Sequence, residues 1–203
     1  MTSIETKDDE GLQDQIRWWP PELNSRLTMK TSDLNKLIDL HELWYESSGK
    51  DGKKLIVDES SFYQLNADKR VIVESIFTDM EFDNCSFKSA DLRNARLSGS
   101  SFNNTDFTNA KLTKAEIDEA VFHNVNFENA IACRTSLAES NLAKCNFKNA
   151  NFKGAFLYGS NFNDCIFEGA DITQANFTGA KIKKEDLVKA IGFESIIGSP
   201  VYE

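Results

Sequence analysis

Every fifth residue from Ile72 to Leu187 is apolar. The column has 24 positions, only Ala132 among them is small, and it takes 12 of the 15 Phe in the chain. A second column lies two residues earlier. From Ser75 to Ala180 it holds Ala, Ser, Thr, Cys or Val everywhere except Met80, and 11 of its 22 members are Ala. A third column lies two residues after the large one, where 12 of 22 positions from Glu74 to Gly179 are Asn or Gly. The repeating unit is therefore small, polar, large apolar, polar, Asn or Gly.

A period of five suits neither common element. On a helix the large residues would smear around the axis, and on a strand alternate copies would point to opposite faces. It does suit a chain that turns one corner per unit. Asn and Gly tolerate the positive φ of a tight turn, so the third column marks the corners. Four corners close a square of 20 residues, and equivalent positions then stack about 4.8 Å apart, as paired strands do. The small and large columns point inward, and the other three positions face water. Folding the large column by fours gives Phe87, Phe107, Phe127, Phe147, Phe167 and Leu187 on one inner wall. Phe82, Phe102, Phe122, Leu142, Phe162 and Ile182 form another. Stacked aromatic ladders are expected from both.

The units Ala90-Asp-Leu-Arg-Asn94, Ala150-Asn-Phe-Lys-Gly154, Ala170-Asp-Ile-Thr-Gln174 and Ala175-Asn-Phe-Thr-Gly179 resemble the pentapeptide-repeat family, whose signature is A(D/N)LXX. The resemblance covers roughly 120 residues without a break. It implies an all-β fold, a right-handed quadrilateral β-helix of about six coils and ~29 Å length.

A solenoid leaves two raw apolar ends that need caps. Residues 1–31 read as an acidic, largely disordered tail and linker, with Trp18-Trp-Pro-Pro21 as a stiff aromatic stretch. Residues 32–54 read as a capping helix and turn. Thr31 or Ser32 is the expected N-cap of a helix from about Asp33 to Ser47, and Gly49 its stop. Leu34, Leu37, Ile38, His41, Trp44 and Tyr45 share one face of that helix. The spacing Leu37-x3-His41-x2-Trp44 followed by Gly49-x2-Gly52 is similar to a leader found before the repeats in many bacterial members of the family. Residues 55–190 read as the β-helix, with 55–71 an irregular first coil, because Leu65 and Arg70 break the small column. Lys184 to Ala190 reads as a last coil turning into a short helix. The apolar tail 191–203 either folds over that coil or pairs with a second copy, so a homodimer through the C-terminal end stays open.

Composition limits the chemistry. No apolar run approaches a membrane span, and the polar, acidic start at Met1 lacks the features of a signal peptide, so a cytoplasmic protein is expected. There are only 2 His and 4 Cys. Cys85, Cys145 and Cys165 fall in the small inward column and Cys133 on an outward position. Free thiols are expected, and the spacing matches no zinc motif. His41 belongs to the buried side of the cap and His123 to an outer position. Glu116, Asp118 and Glu119 could serve acid–base glycan cleavage, but they lie on a flat face with no insertion to wall a cleft. No catalytic, cofactor or metal site is expected.

Charge separates the remaining readings. The net charge is −9, and the resemblance raises the possibility of a duplex-DNA mimic that occupies DNA gyrase. Residues 70–190 hold 16 acids and 14 bases, however, so the rod is nearly neutral and has neither an acidic envelope nor a basic stripe. The favoured reading is a rigid, non-catalytic interaction module with an unidentified protein partner, no small-molecule substrate, no nucleic acid and no membrane. Its candidate surface is built from apolar residues at outward positions: Phe156 and Tyr158 flanking Leu157, with Ile131 and Ile166.

Overall fold

A computed structural model describes residues 29–202. The acidic tail and the Trp18-Trp-Pro-Pro21 stretch lie outside the described residues. The chain opens with helix α1 (Thr31–Glu46) and then winds into a four-sided parallel β-helix. Its longest ladder joins β2 (Ser61–Tyr63), β4 (Glu81–Asp83), β5 (Ser101–Asn103), β6 (Val121–His123), β7 (Asn141–Ala143), β8 (Asn161–Asn163), β9 (Lys181–Ile182) and β10 (Val201–Tyr202). Strands β1 (Ile56–Asp58) and β3 (Ile76–Thr78) pair on the preceding side, and helix α2 (Lys184–Leu187) precedes the last turn. Every pairing is parallel, and Phe62, Phe82, Phe102, Phe122, Leu142 and Phe162 face one another in strict 20-residue register.

We number the sides in chain order. The first has Val57, Phe77, Leu97, Ile117, Leu137, Leu157 and Phe177 inward; the second carries the eight-stranded ladder; Phe87 opens the ring ladder of the third, and Leu92 lies on the fourth. The corners are where the third column places them. Asn84, Asn94, Asn104 and Asn109 have φ between 49° and 58°, and Gly99 has φ 70°. So do residues that do not favour this conformation, among them Glu74, Lys114, Glu119, Arg134 and Glu139. A left-handed residue with a Cβ costs about 1–2 kcal/mol. The ladder bonds made on both sides of each corner offset that cost, so the repeat frame overrides local preference.

The core is one continuous column of side chains. Phe87, Phe107, Phe127, Phe147 and Phe167 stack with ring centroids 5.1, 5.2, 5.2 and 4.9 Å apart. Rings also meet edge to face across a corner, as Phe102 does with Phe107 at 5.5 Å. Each ring therefore has partners above, below and beside it. Polar members of the small column from Ser100 to Ser160 are satisfied by the coil before them, whereas the buried Ser75 hydroxyl has no partner. The hydroxyls of Thr135 and Ser160 donate to the carbonyls of Leu112 and Leu137, both at 2.6 Å.

One asymmetry separates the second side from the third and fourth. On the third and fourth sides a four-residue turn closes with a backbone bond, such as Ala90 N–H to Phe87 O at 3.0 Å and Ala95 N–H to Leu92 O at 3.0 Å. The second side makes three-residue strands instead. The small column after that side holds its bulkier members, Leu65, Cys85, Thr105, Val125, Cys145 and Cys165, all buried. The more open corner has room for them.

The N-terminal cap differs in detail from expectation. Helix α1 begins at Thr31, and neither Thr31 nor Ser32 caps it; the Lys30 carbonyl accepts from Asp33 and Leu34 N–H instead. The helix ends in a Schellman arrangement, with Ser48 at φ 56° and Gly49 N–H donating to Trp44 O at 2.8 Å. Leu34, Ile38 and His41 are buried, while Tyr45 stands exposed at the edge of the apolar face. Arg70, which breaks the small column, reaches out to the cap. It donates from Nε and Nη2 to both oxygens of Glu42, at 2.8 and 2.9 Å, and Glu42 also accepts from Val71 N–H. Burial alone would raise the Glu42 pKa, but the Arg70 guanidinium and the Val71 N–H outweigh it and hold the carboxyl below its ordinary range. At the other end the tail adds a further turn. Ile191, Ile197 and Val201 bridge to Asp171, Asn176 and Lys181. The spacing is 20, 21 and 20 residues, so this turn takes an extra residue near Phe193–Ser195 and recovers it before β10. Gly192, at φ 81°, crosses Thr173 so closely that a Cβ would lie 2.8 Å from its backbone.

His41 ties the cap to both ends of the first coil. Leu55 N–H donates to Nδ1 at 3.0 Å, which leaves Nε2 to donate to Val73 O at 2.9 Å. Both roles require neutral imidazole, and burial lowers its pKa below 6.5, against the opposing pull of the Val73 carbonyl. Below about pH 6.5 the unfolded chain then binds a proton that the folded chain refuses, so stability rises with pH through this window and is lost on acidification. Unfolding midpoints should hold above about pH 7 and begin to fall as the pH drops below about 6.5, and His41→Gln should remove that onset. In the core, Phe127→Ala should cost about 3–5 kcal/mol in denaturant unfolding, because the cavity is walled by rings that cannot collapse into it.

Candidate interaction surface

The outward residues form ladders too, so a side chain's place is set by its number modulo 20. Phe156 lies on the first side between Ser136 and Asn176, and Tyr158 lies beside it across inward Leu157. Ile131 lies on the fourth side between Lys111 and Asn151, and Ile166 on the third side beyond Asn146. All four are exposed, at 46%, 41%, 45% and 51%. Only Phe156 and Tyr158 come together. Ile131 and Ile166 stand singly on other sides, and isolated exposed apolar residues are ordinary.

The ladders also sort charge in a way the linear count conceals. On the first side between residues 55 and 190 lie Asp58, Glu59, Asp79, Glu116, Asp118, Glu119 and Glu139, against the single base Arg96. The other three sides together carry 12 acids and 14 bases. The near-neutral rod is thus one acidic side, a second side with 3 acids and 4 bases, a third with 6 and 4, and a basic fourth with 3 and 6. Glu116 pairs with Arg96 at 3.2 Å, and Asp118 accepts from the Ser136 hydroxyl and from Ala138 N–H. Asp79 and Glu139 lean along the rod axis over Gly99 and Gly159; a Cβ on Gly159 would lie 2.5 Å from the Glu139 carboxylate. These acids form a flat row along the rod, and none of them approaches a histidine or a thiol.

Cys85, Cys145 and Cys165 are buried at the wide corners, and all four cysteines are free thiols. The Cys85 thiol points at Phe62 O, and burial pushes its pKa up to about 11. Cys145 is also raised, by its hydrogen bond with Cys165 and by burial. His123 is on the outer surface of the second side, with Nδ1 3.2 Å from Asn103 Oδ1. Among the described residues no group of His, Cys, Asp and Glu could hold a metal ion, and no helix is long and apolar enough to cross a membrane. A hollow of about 360 Å³ opens where Met29 and Lys30 meet Tyr63 and Asp83 at the start of α1.

The family model for pentapeptide repeats matches in 8 copies, over residues 85–124, 120–157 and 145–183. No curated protein sequence matches the chain. Among solved structures, two trypsin-treated variants of QnrB1, a plasmid-mediated fluoroquinolone resistance protein, share the fold. One superposes with TM-score 0.56 at 16% identity, covering 74% of this chain and 84% of its own. The other gives 0.54 at 18%, covering 73% and 82%. HetL, a pentapeptide repeat protein involved in heterocyst differentiation regulation from Nostoc sp. strain PCC 7120, aligns at 16% identity over 73% of this chain and 76% of its own, with TM-score 0.36.

Burial sets thiol reactivity here. In the folded protein a disulfide reagent such as DTNB should titrate about one thiol, that of half-buried Cys133, and all 4 cysteines should react once the rod is unfolded.

Proposed function

The chain belongs to the pentapeptide-repeat family, and on that premise we propose that it is a rigid, non-catalytic protein-interaction module of the bacterial cytoplasm. The observation that carries this reading is the pair Phe156 and Tyr158, both exposed on either side of inward Leu157, on a side whose inner face is fully packed. A partner meeting such a side pays no ordering cost on the rod, so two aromatic anchors bind more effectively than they would on a mobile loop. The exposed ionisable groups support the same reading: they run in ladders along the rod, and no pocket gathers them around a reacting atom. Neither a small-molecule substrate, nor nucleic acid, nor a membrane fits these flat sides.

A second copy is a further partner. The last turn leaves Val188, Ile191, Ile197, Val201 and Tyr202 exposed at the C-terminal end, and end-to-end pairing would cover them. The likeness to a fluoroquinolone resistance protein adds a second reading, a duplex-DNA mimic bound by a topoisomerase. The acidic first side favours it, and the 14 bases against 12 acids on the other three sides weigh against it, since a duplex is negative all round.

Affinity capture with the full-length chain and with Phe156→Ser/Tyr158→Ser separates these readings. The module reading expects a specific partner that the double variant loses while its melting temperature stays unchanged; capture that ignores the substitutions would overturn it. Inhibition of gyrase supercoiling by micromolar protein would install the mimic in its place.

A further inference from the structure

The acids of the first side and its aromatic pair are parts of one surface. Glu139 N–H donates to Tyr158 O at 3.0 Å, so the two residues occupy adjacent coils on the same corner. The Glu139 side chain then lies along the axis over Gly159, the residue after Tyr158, where the missing Cβ leaves it room. A carboxylate thus sits over the residue next to Tyr158, on the same side as both exposed rings. One coil further, about 5 Å along the rod, come Asp118 and Glu119. No cation pairs with Glu139, Glu119 or Asp118 among the described residues.

We propose that this side takes an arginine-bearing segment of a partner protein, its guanidinium laid on the Phe156–Tyr158 rings and paired with Glu139. The assignment rests on the interaction-module reading and names the chemistry of the partner. An apolar partner would bury the Glu139 carboxylate unpaired, and an acidic one would meet seven acids and a single base. A cation satisfies both constraints. Arginine fits better than lysine, because a planar, weakly hydrated guanidinium stacks on a ring while its N–H fork faces a carboxylate. A second cation further along the segment meets Asp118 and Glu119. The ladders fix the direction of the bound segment, which runs along the rod rather than across it, because the acids are stacked and not side by side.

The probe is a fluorescein-labelled eight-residue peptide of alternating arginine and serine, titrated against the full-length chain by anisotropy. Saturable binding is expected, weakening as sodium chloride rises. The lysine–serine version should bind at least about fivefold more weakly, and Tyr158→Ala and Glu139→Gln should each cost about tenfold. Glu128→Gln, which removes an acid from the third side at equal cost in net charge, should leave binding unchanged. Each variant is first checked for an unaltered melting curve. Equal affinity for the two peptides, an equal loss in Glu128→Gln, or no saturation overturns the proposal. A captured natural partner whose binding survives Tyr158→Ala with Glu139→Gln overturns it as well, while leaving the module reading intact.

Discussion

Stacking between coils is the interaction on which everything else depends. A single 20-residue turn has no interior of its own: its large residues meet one another only at the corners, and both its edges are unpaired. Placed on an identical neighbour, it gains a ladder of backbone bonds and a ring above each ring, such as Phe107 over Phe127 over Phe147 at 5.2 Å. Each buried large side chain is worth roughly 1.5–3 kcal/mol only in that setting. The same stacking holds Lys114, Glu119 and Arg134 in left-handed corners. A misplaced register would cost every column at once, which is why the period holds without an insertion until the final turn.

The ends show what the repeat cannot do for itself. At the N-terminus α1 covers the first coil with Leu34, Ile38 and His41, and the polar groups of that coil are met by side chains of the helix. Arg70 and Glu42 make a forked ion pair across the junction, half-buried and reinforced by Val71 N–H. Removing one partner would strand the other, so the pair specifies how the helix sits more than it adds stability. At the C-terminus no helix of comparable size covers the rod among the described residues. The tail makes one more turn, and its apolar outer residues stay open.

The rigid core also decides what kind of surface the protein can offer. With every inward position filled, no cleft can form between sides, and function falls to the outward ladders. These ladders convert spacing along the chain into position along a rod. Acids at 119 and 139, remote in sequence from 59 and 79, come into one line because their numbers agree modulo 20. Phe156 and Tyr158 lie on the same side as that line, whereas Ile131 and Ile166, equally exposed, do not.

The five-residue period, read without any structure, determines the square cross-section, the inward columns and the left-handed corners, because each follows from a local rule applied identically at every unit. It also contains a fainter signal: every fourth member of the small column is bulkier, as in Cys85, Thr105, Val125 and Cys145, and this marks the side whose strands continue along the rod. The grouping of surface residues is different in kind. A total of 16 acids and 14 bases describes a neutral rod, and four exposed apolar residues look like one patch, until the winding assigns each to a side. The capping of α1 by the Lys30 carbonyl, the reach of Arg70 to Glu42 and the return of the tail onto the last coil were likewise decided in three dimensions. Each joins groups outside the repeating frame, and a contact of that kind is fixed by the distance between surfaces rather than by the spacing of residues.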